Sequence, residues 1–453
     1  HIRRQRQMCI RDRLAIIAAT AVAGCGSDSA LPEATGDGTV RMINAIPTSP
    51  EIGFLIEERA LESVAYKNNS SPQSWDDLTY TFNFDISRPG LGETQRIASQ
   101  FVDVMRDVEY TFVLRGSVDA ATVDVWEIPQ RSFSGTETIF EMRIGHAAAT
   151  LGTVDVYIGL ESAAPDLGDQ VATLAPGEVS APTDVEEDAY VITITASGNP
   201  ADVLYQSEPT RIVASQSVVI TVFEGDANDT APVLLGIFNE RGLASALTDA
   251  RFPPTARFVH ATMNLGTSDI YDDAALQNRI VADLAFGDIT GDIDMAVGDL
   301  TITATAPGNI GAIQLEDTLS TSAGSRVNYY FTLLADELTG SQARVDRRSI
   351  ETLARLTFFH SSVNHDLVDL YVVDAGTSID DQLPRQIAIS RLQQTPPIGI
   401  DAGRYDIYIT TSGEKTVLDG PISLEASLGD VFEAVLLDRV DPSLAEFKLF
   451  PAL

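Results

Sequence analysis

One pattern recurs four times along the 453-residue chain, and it leaves little freedom in what the chain can fold into. The copies open at Val40–Ala45, Met142–Ala147, Ala256–Ala261 and Leu356–Ser361, and each is followed by a short apolar stretch at Ile52–Ile56, Val154–Ile158, Ser268–Tyr271 and Val368–Val372. His146 precedes Asp155 by nine residues, His260 precedes Asp269 by nine, and His360 precedes Asp369 by nine; Asn44 and Gly53 hold the same two places in the first copy. Successive markers lie 102, 114 and 100 residues apart. A fixed repeat of this kind means one structural unit used four times.

The later part of each unit repeats as well: Tyr190–Gly198 (YVITITASG), Leu300–Gly308 (LTITATAPG), Tyr405–Gly413 (YDIYITTSG) and a degenerate Tyr80–Asp85. Tyr405, Ile407 and Ile409 alternate with Asp406, Tyr408 and Thr410, and a period of two in β-branched and aromatic residues is the mark of a half-buried strand. A further apolar strand is expected to close each unit, at Tyr110–Leu114, Val218–Phe223, Tyr329–Leu334 and Val431–Leu437. Only Ala274–Asp283 and Ser349–Leu356 hint at a turn or two of helix. Short strands punctuated by Gly, Pro, Asp and Asn in units of about 100 residues predict an all-β chain of four tandem immunoglobulin-like β-sandwich repeats. Their expected bounds are 39–138, the degenerate copy, then 139–253, 254–352 and 353–453. With almost no linker between units, an end-to-end array would reach on the order of 100 Å at ~26 Å per unit; folded-back packing is the alternative. Asp401–Tyr405 resembles the approach to an immunoglobulin tyrosine corner, whose phenol bonds back to the upstream backbone. Ile407 stands where an antibody domain carries its second Cys, so no inter-sheet disulfide is expected.

Leu14–Gly24 (LAIIAATAVAG) is an 11-residue apolar run after Arg11-Asp12-Arg13. It is too short to span a bilayer and has the layout of an export signal. Val22-Ala23-Gly24-Cys25 resembles the bacterial lipobox, which implies lipidation of Cys25, removal of residues 1–24 as a signal peptide, and membrane attachment through acyl chains. Residues 25–38 then form a polar tether. Gly26, rather than Asp, follows the Cys, which favours the outer over the inner membrane of a bacterial envelope. Residues 1–13 resemble translated sequencing-adapter read-through and are left out of fold reasoning, together with Cys9.

The opening R-h-x-H-A, with h apolar, the D-h-Y strand nine residues after the His, and the later Y-x-h-x-h strand ending in Gly resemble bacterial domain-of-unknown-function family 4397. Four copies would cover residues 39–453, with the first departing from the pattern at Asn44 and Gly53. The resemblance implies exported, tandem immunoglobulin-like modules on bacterial envelopes, and no reaction or ligand.

Composition narrows the partners. Thirty Lys+Arg face 65 Asp+Glu, a net charge of −35, and removing residues 1–24 with five Arg and one Asp leaves −39. Only Lys67, Lys415 and Lys448 are lysines. Nucleic acid is not an expected partner, because phosphate binding needs clustered cations. Each of the last three units offers one motif His and no Cys, short of the three or four ligands zinc needs. His146, Asp155, His260, Asp269, His360 and Asp369 are therefore read as structural, and no metal or cofactor is expected. Asp226–Pro232 resembles the calcium-linker motif of cadherins, and Asp288, Asp292, Asp294 and Asp299 form a second acidic cluster. Both are read first as polar loops, the second lacking EF-hand order. No nucleophile elbow, metalloprotease helix, P-loop or dinucleotide fingerprint is present, so no enzyme is expected. The expectation is a lipid-anchored structural or adhesive envelope module contacting an envelope protein or glycan. A glycan-binding lipoprotein with Trp75, Trp126 and Tyr408 as aromatic platform is the alternative, and a secreted hydrolase is weaker.

Overall fold

The computed structural model describes residues 33–88, 94–161 and 168–451. The expected signal peptide 1–24, Cys9 and Cys25 lie outside the described residues. Within them the chain is all-β, with no α-helix. Asp273 instead caps a turn with its carboxylate, accepting from the N–H groups of Gln277 and Asn278, and a strand begins at Arg279. The segment from Ser349 runs through a bridge between Ile350 and Leu353 into the strand Ala354–His360.

Four sandwiches follow one another. The first is built from Asp37–Asn44, Ile52–Ile56, Arg59–Val64, Gln73–Asp76, Thr79–Ser87, Thr94–Asp103, Val108–Ser117 and Ala120–Pro129. In strand order its two sheets read 4-1-7-8 and 3-2-5-6. The third and fourth units, Thr255–Arg344 and Ala354–Pro451, repeat both orders. The second, from Ile139 to Leu247, adds Thr210–Ile212 to one sheet and Gly242–Leu247 to the other. The architecture is the immunoglobulin-like sandwich, but the strand order differs from the ABED and CFG sheets of an antibody constant domain. In the three eight-stranded units the first strand pairs parallel with the seventh, and in the second unit Ile139–His146 pairs the same way with Ser217–Glu224.

Period-two patterning puts one face of each strand into the unit's own core. In the fourth unit Ile407 and Ile409 join Leu356, Phe358, Val368 and Leu370. In the first, Phe54 and Phe112 lie 5.7 Å apart and each packs within 5.9 Å of Phe82 and Phe84. The apolar strand expected to close each unit sits inside its sheet: it is the seventh of eight, between the first and the eighth, in three units, and in the second it is Ser217–Glu224, between Ile139–His146 and Val233–Asn239. Its uninterrupted apolar run has a physical cause: both of its faces are buried, as in a central strand.

The outer face of that strand is covered by a neighbouring unit. Ile43, Val113, Trp126 and Ile128 of the first unit pack on Val219, Phe223, Leu234 and Phe238 of the second. Val259 and Tyr330 of the third meet Phe359, Val435, Leu437 and Phe450 of the fourth. The units thus fold back in two face-to-face pairs rather than forming an end-to-end array. Each large apolar side chain removed from water is worth ~1.5–3 kcal/mol, a gain that end-on contact through polar loops lacks. The segment 345–353 ties the pairs together. Arg348 donates to the carbonyls of Pro47 and Ser49 at 2.7 Å each and lies over the Tyr66 ring. The Ser349 N–H donates to Asp226, and Glu351 accepts from the Val118 N–H.

Candidate functional site

The repeated His stands at the end of the first strand, where its backbone is held by a turn leading out of the third strand. The His146 N–H donates to Glu178 O and its carbonyl accepts from Gly177; His260 does the same with Asp288 and Gly287, and His360 with Gln393 and Leu392. The ring closes the loop that follows. His146 Nε2 bonds the Gly152 carbonyl at 2.8 Å and His260 Nε2 bonds that of Gly266 at 3.0 Å, each six residues on. A carbonyl only accepts, so Nε2 carries the proton and Nδ1 is a buried bare acceptor. Burial holds both rings below the ordinary histidine pKa, and for His360, whose ring nitrogens make no hydrogen bond, down to about 4. The rings are neutral at pH 7. In the first unit Asn44 does the same work: its amide donates toward Pro50 O, again six residues on, and to Val64 O, while its Oδ1 accepts from Ile46 N–H.

The repeated Asp clamps a different turn. Asp155 accepts from the Thr173 and Ser197 hydroxyls and from the Gly198 N–H. Asp269 accepts from Gly308 N–H, Asp283 N–H and Arg279, and Asp369 from Gly413 and Ala388 N–H groups. The glycine ending the fifth strand is thus the Asp's partner, and its φ of +67 to +75° needs no side chain. The Thr173 hydroxyl on Asp155 and the Gly308 N–H on Asp269 hold these carboxyls below the usual carboxylate range. No hydrogen bond or ion pair joins a motif His to its Asp among the described residues, so no acid–base dyad is assembled.

A third repeated element escaped the sequence reading. Val64–Ser70, Leu174–Ser180, Leu284–Thr290 and Ile389–Thr395 each hold a turn with a positive-φ residue (Lys67, Gly177, Gly287 or Leu392) and end in a hydroxyl. That hydroxyl accepts from the backbone N–H two residues before the His or Asn: Ser70 from Met42, Ser180 from Ile144, Thr290 from Phe258 and Thr395 from Phe358. The signal was present, but the hydroxyl follows the marker residue by anything from 26 to 35 positions.

The acidic segments are used internally. Asp226 accepts from Ala227 and Ser349 N–H groups, Asp229 accepts from Asp226 N–H, and Asn228 donates to Arg347 O. This loop bridges units through hydrogen bonds. Asp288 caps the N–H of Ala285, Asp299 accepts from Ser320, and Asp292 takes Arg257 and Arg347. No group of three or more His, Cys, Asp or Glu side chains converges as a metal site among the described residues.

The proposed aromatic platform does not form. Trp126 is 2 % exposed in the first seam, donating to Gly177 O at 2.8 Å over Gly145. Trp75 packs edge-on to Tyr80, and Tyr408 lies in another unit against Tyr371. The Tyr405 hydroxyl makes no corner bond among the described residues; the equivalent Tyr190 does, donating to Glu186 O at 2.9 Å.

The second seam holds the densest buried charge. Arg347, from the segment between units, donates to Glu433 at 2.8 Å and to both oxygens of Asp292. Asn328 donates to Glu433 and Arg257 pairs with Asp292.

No family model and no curated protein matches this chain. Among solved structures, the Bacillus anthracis TIE protein aligns over 89% of this chain and 69% of its own, at 8% identity and a TM-score of 0.15. A likeness that weak carries no argument.

Proposed function

We propose that the protein is a lipid-anchored component of a bacterial cell envelope, of the tandem-module kind implied by family 4397, with a structural or adhesive role and no catalysis of its own. The observation that carries the reading is Val22-Ala23-Gly24-Cys25 placed directly after an 11-residue apolar run. The spent state of the motif residues supports the scaffold part. The three His, the three Asp and Asn44 are the most faithful markers of the repeat, and all but the His360 ring are committed to hydrogen bonds that hold turns. A net charge of −35 suits an exposed protein that must stay apart from its copies. The test is palmitate labelling of cells expressing the chain, with mass spectrometry of its N-terminal peptide. Acylated Cys25, abolished by Cys25→Ser, is the expected result; an unmodified thiol at position 25 overturns it.

A further inference from the structure

A cavity of about 440 Å³ opens in the first seam, beneath the segment that joins the first unit to the second. The size falls within the range of small-molecule sites. Its arginines are matched by carboxylates, while the exposed Glu240 at its edge has no ion pair among the described residues. Arg41 pairs with Glu109 at 2.5 Å, Arg143 with Glu141 at 3.5 Å, and Arg131 with Glu141 and Asp184. What remains deeper in the cavity is hydrogen bonding to single polar atoms. Arg143 Nε and Ser217 Oγ are buried without partners, and Arg143 as a whole is 9 % exposed. Phe133 adds an aromatic ring, with Arg131 stacked on it at 4.8 Å.

The second seam shows what this place looks like when filled. Thr111 and Val219 stand across from Arg41 and Arg143 as Asn328 and Glu433 stand across from Arg257 and Thr357. There the joining segment sends Arg347 inward to bond Glu433 and Asn328. In the first seam the joining segment's Arg131 turns aside to Asp184, and the cavity stays open.

We infer that this cavity binds a small neutral polyhydroxylated molecule, one or two sugar rings in size. An anion entering it would meet the Glu240 carboxylate and have to break the buried Arg41–Glu109 pair, and one orphaned partner costs several kcal/mol. An apolar molecule would leave the Arg143 and Ser217 groups unpaired. Sugar hydroxyls accept from Arg143 and Ser217 and donate to carboxylates that keep free lone pairs, while a pyranose face lies on Phe133.

The experiment is titration calorimetry on the full chain in a sugar-free detergent, with glucose, N-acetylglucosamine and maltose as probes and citrate and glucuronate as ionic controls. Ser132→Trp and Gln130→Trp, both at exposed positions of the mouth, plug the cavity, and melting curves verify that each folds. Saturable binding of a neutral sugar, weakened at least tenfold in whichever plugged variant retains the parent melting curve, supports the inference. No neutral-sugar binding up to about 10 mM, binding that survives the plugs, or tighter binding of citrate or glucuronate overturns it.

Discussion

The two seams use the same sheet faces but place their charge differently. The first is apolar at its centre, with Trp126 wedged over Gly145 and ringed by Val113, Val219 and Phe223. The second stacks Tyr330 on Phe359 at 3.8 Å and surrounds the stack with Arg347, Asp292, Glu433, Arg257 and Asn328. The first seam keeps its ion pairs, Arg41–Glu109 and Arg143–Glu141, within single units, so the inter-unit ions of the second seam are not a requirement of the geometry. Buried ion pairs add little net stability over a hydrophobic replacement, but breaking one is costly. The first seam should therefore fail by losing volume and the second by losing a partner.

The largest effect is expected at Arg347. Its side chain is 1 % exposed, and Arg347→Ala takes from buried Glu433 its closest cation, leaving Asn328 and Arg257 at 3.9 Å, together with half of the Asp292 pairing, a loss of ~3–5 kcal/mol. Replacing both partners, Arg347→Met with Glu433→Leu, should recover most of it. Chemical denaturation of the single and double variants checks this, and equal losses in the two would break the distinction between the seams. Both tryptophans lie in the first unit. Fluorescence thus follows the first pair while circular dichroism follows all four units, and Arg347→Ala should move the second signal more than the first.

Trp126→Ala should cost ~3–5 kcal/mol as a cavity, leaving the Gly177 carbonyl without its donor as well. Gly145→Ala places a methyl 2.2 Å from the Trp126 ring and should cost ~1–3 kcal/mol by overpacking. In the Trp126→Ala background that second cost should vanish, and a double-mutant cycle reads the coupling directly. Additive losses would contradict the wedge.

Acid sharpens the comparison from a different side. His360 is held at about 4 when folded against an ordinary 6.5, so the unfolded chain takes up its proton first. Stability is then full above pH 6.5 and falls as the pH drops toward 4, by on the order of 3 kcal/mol. His360→Gln should flatten that slope in a pH series of denaturation curves. The smallest expected effect is Asp369→Asn, which weakens the carboxylate's hold on the Gly413 and Ala388 N–H groups and should cost ~1–2 kcal/mol. Because this turn lies far from either seam's core, the fluorescence midpoint should stay in place while the dichroism midpoint falls.

The strands and the fourfold repeat were readable because a period of two assigns each residue to a face, and Ile407 and Ile409 do face the core of their unit. Periodicity does not name the partner of the second face. The run Val218–Phe223 was apolar on both sides, a sign of a strand covered twice, yet it was read as a closing strand. Trp126 reads as a platform aromatic because nothing in its own strand shows that Gly145, in the next unit, makes room for it. The acidic clusters read as polar loops, but their partners are not legible in sequence: Asp292 and Asp226 find them in Arg347 and Ser349, which come from the segment joining the third and fourth units. Asp155, Asp269 and Asp369 and their turn glycines were both quoted as motif, and only the fold reveals that one binds the other. The hydroxyl turn stayed hidden because its distance from the His varies with the second and third strands and their loops.

The central claim is that four sandwiches fold back into two face-to-face pairs clasped by residues 345–353. Small-angle X-ray scattering of residues 33–451 tests it most directly. The packed arrangement predicts a radius of gyration of about 22–25 Å and a single-peaked distance distribution. A value of about 30 Å or more, with the long tail of a ~100 Å rod, would contradict it.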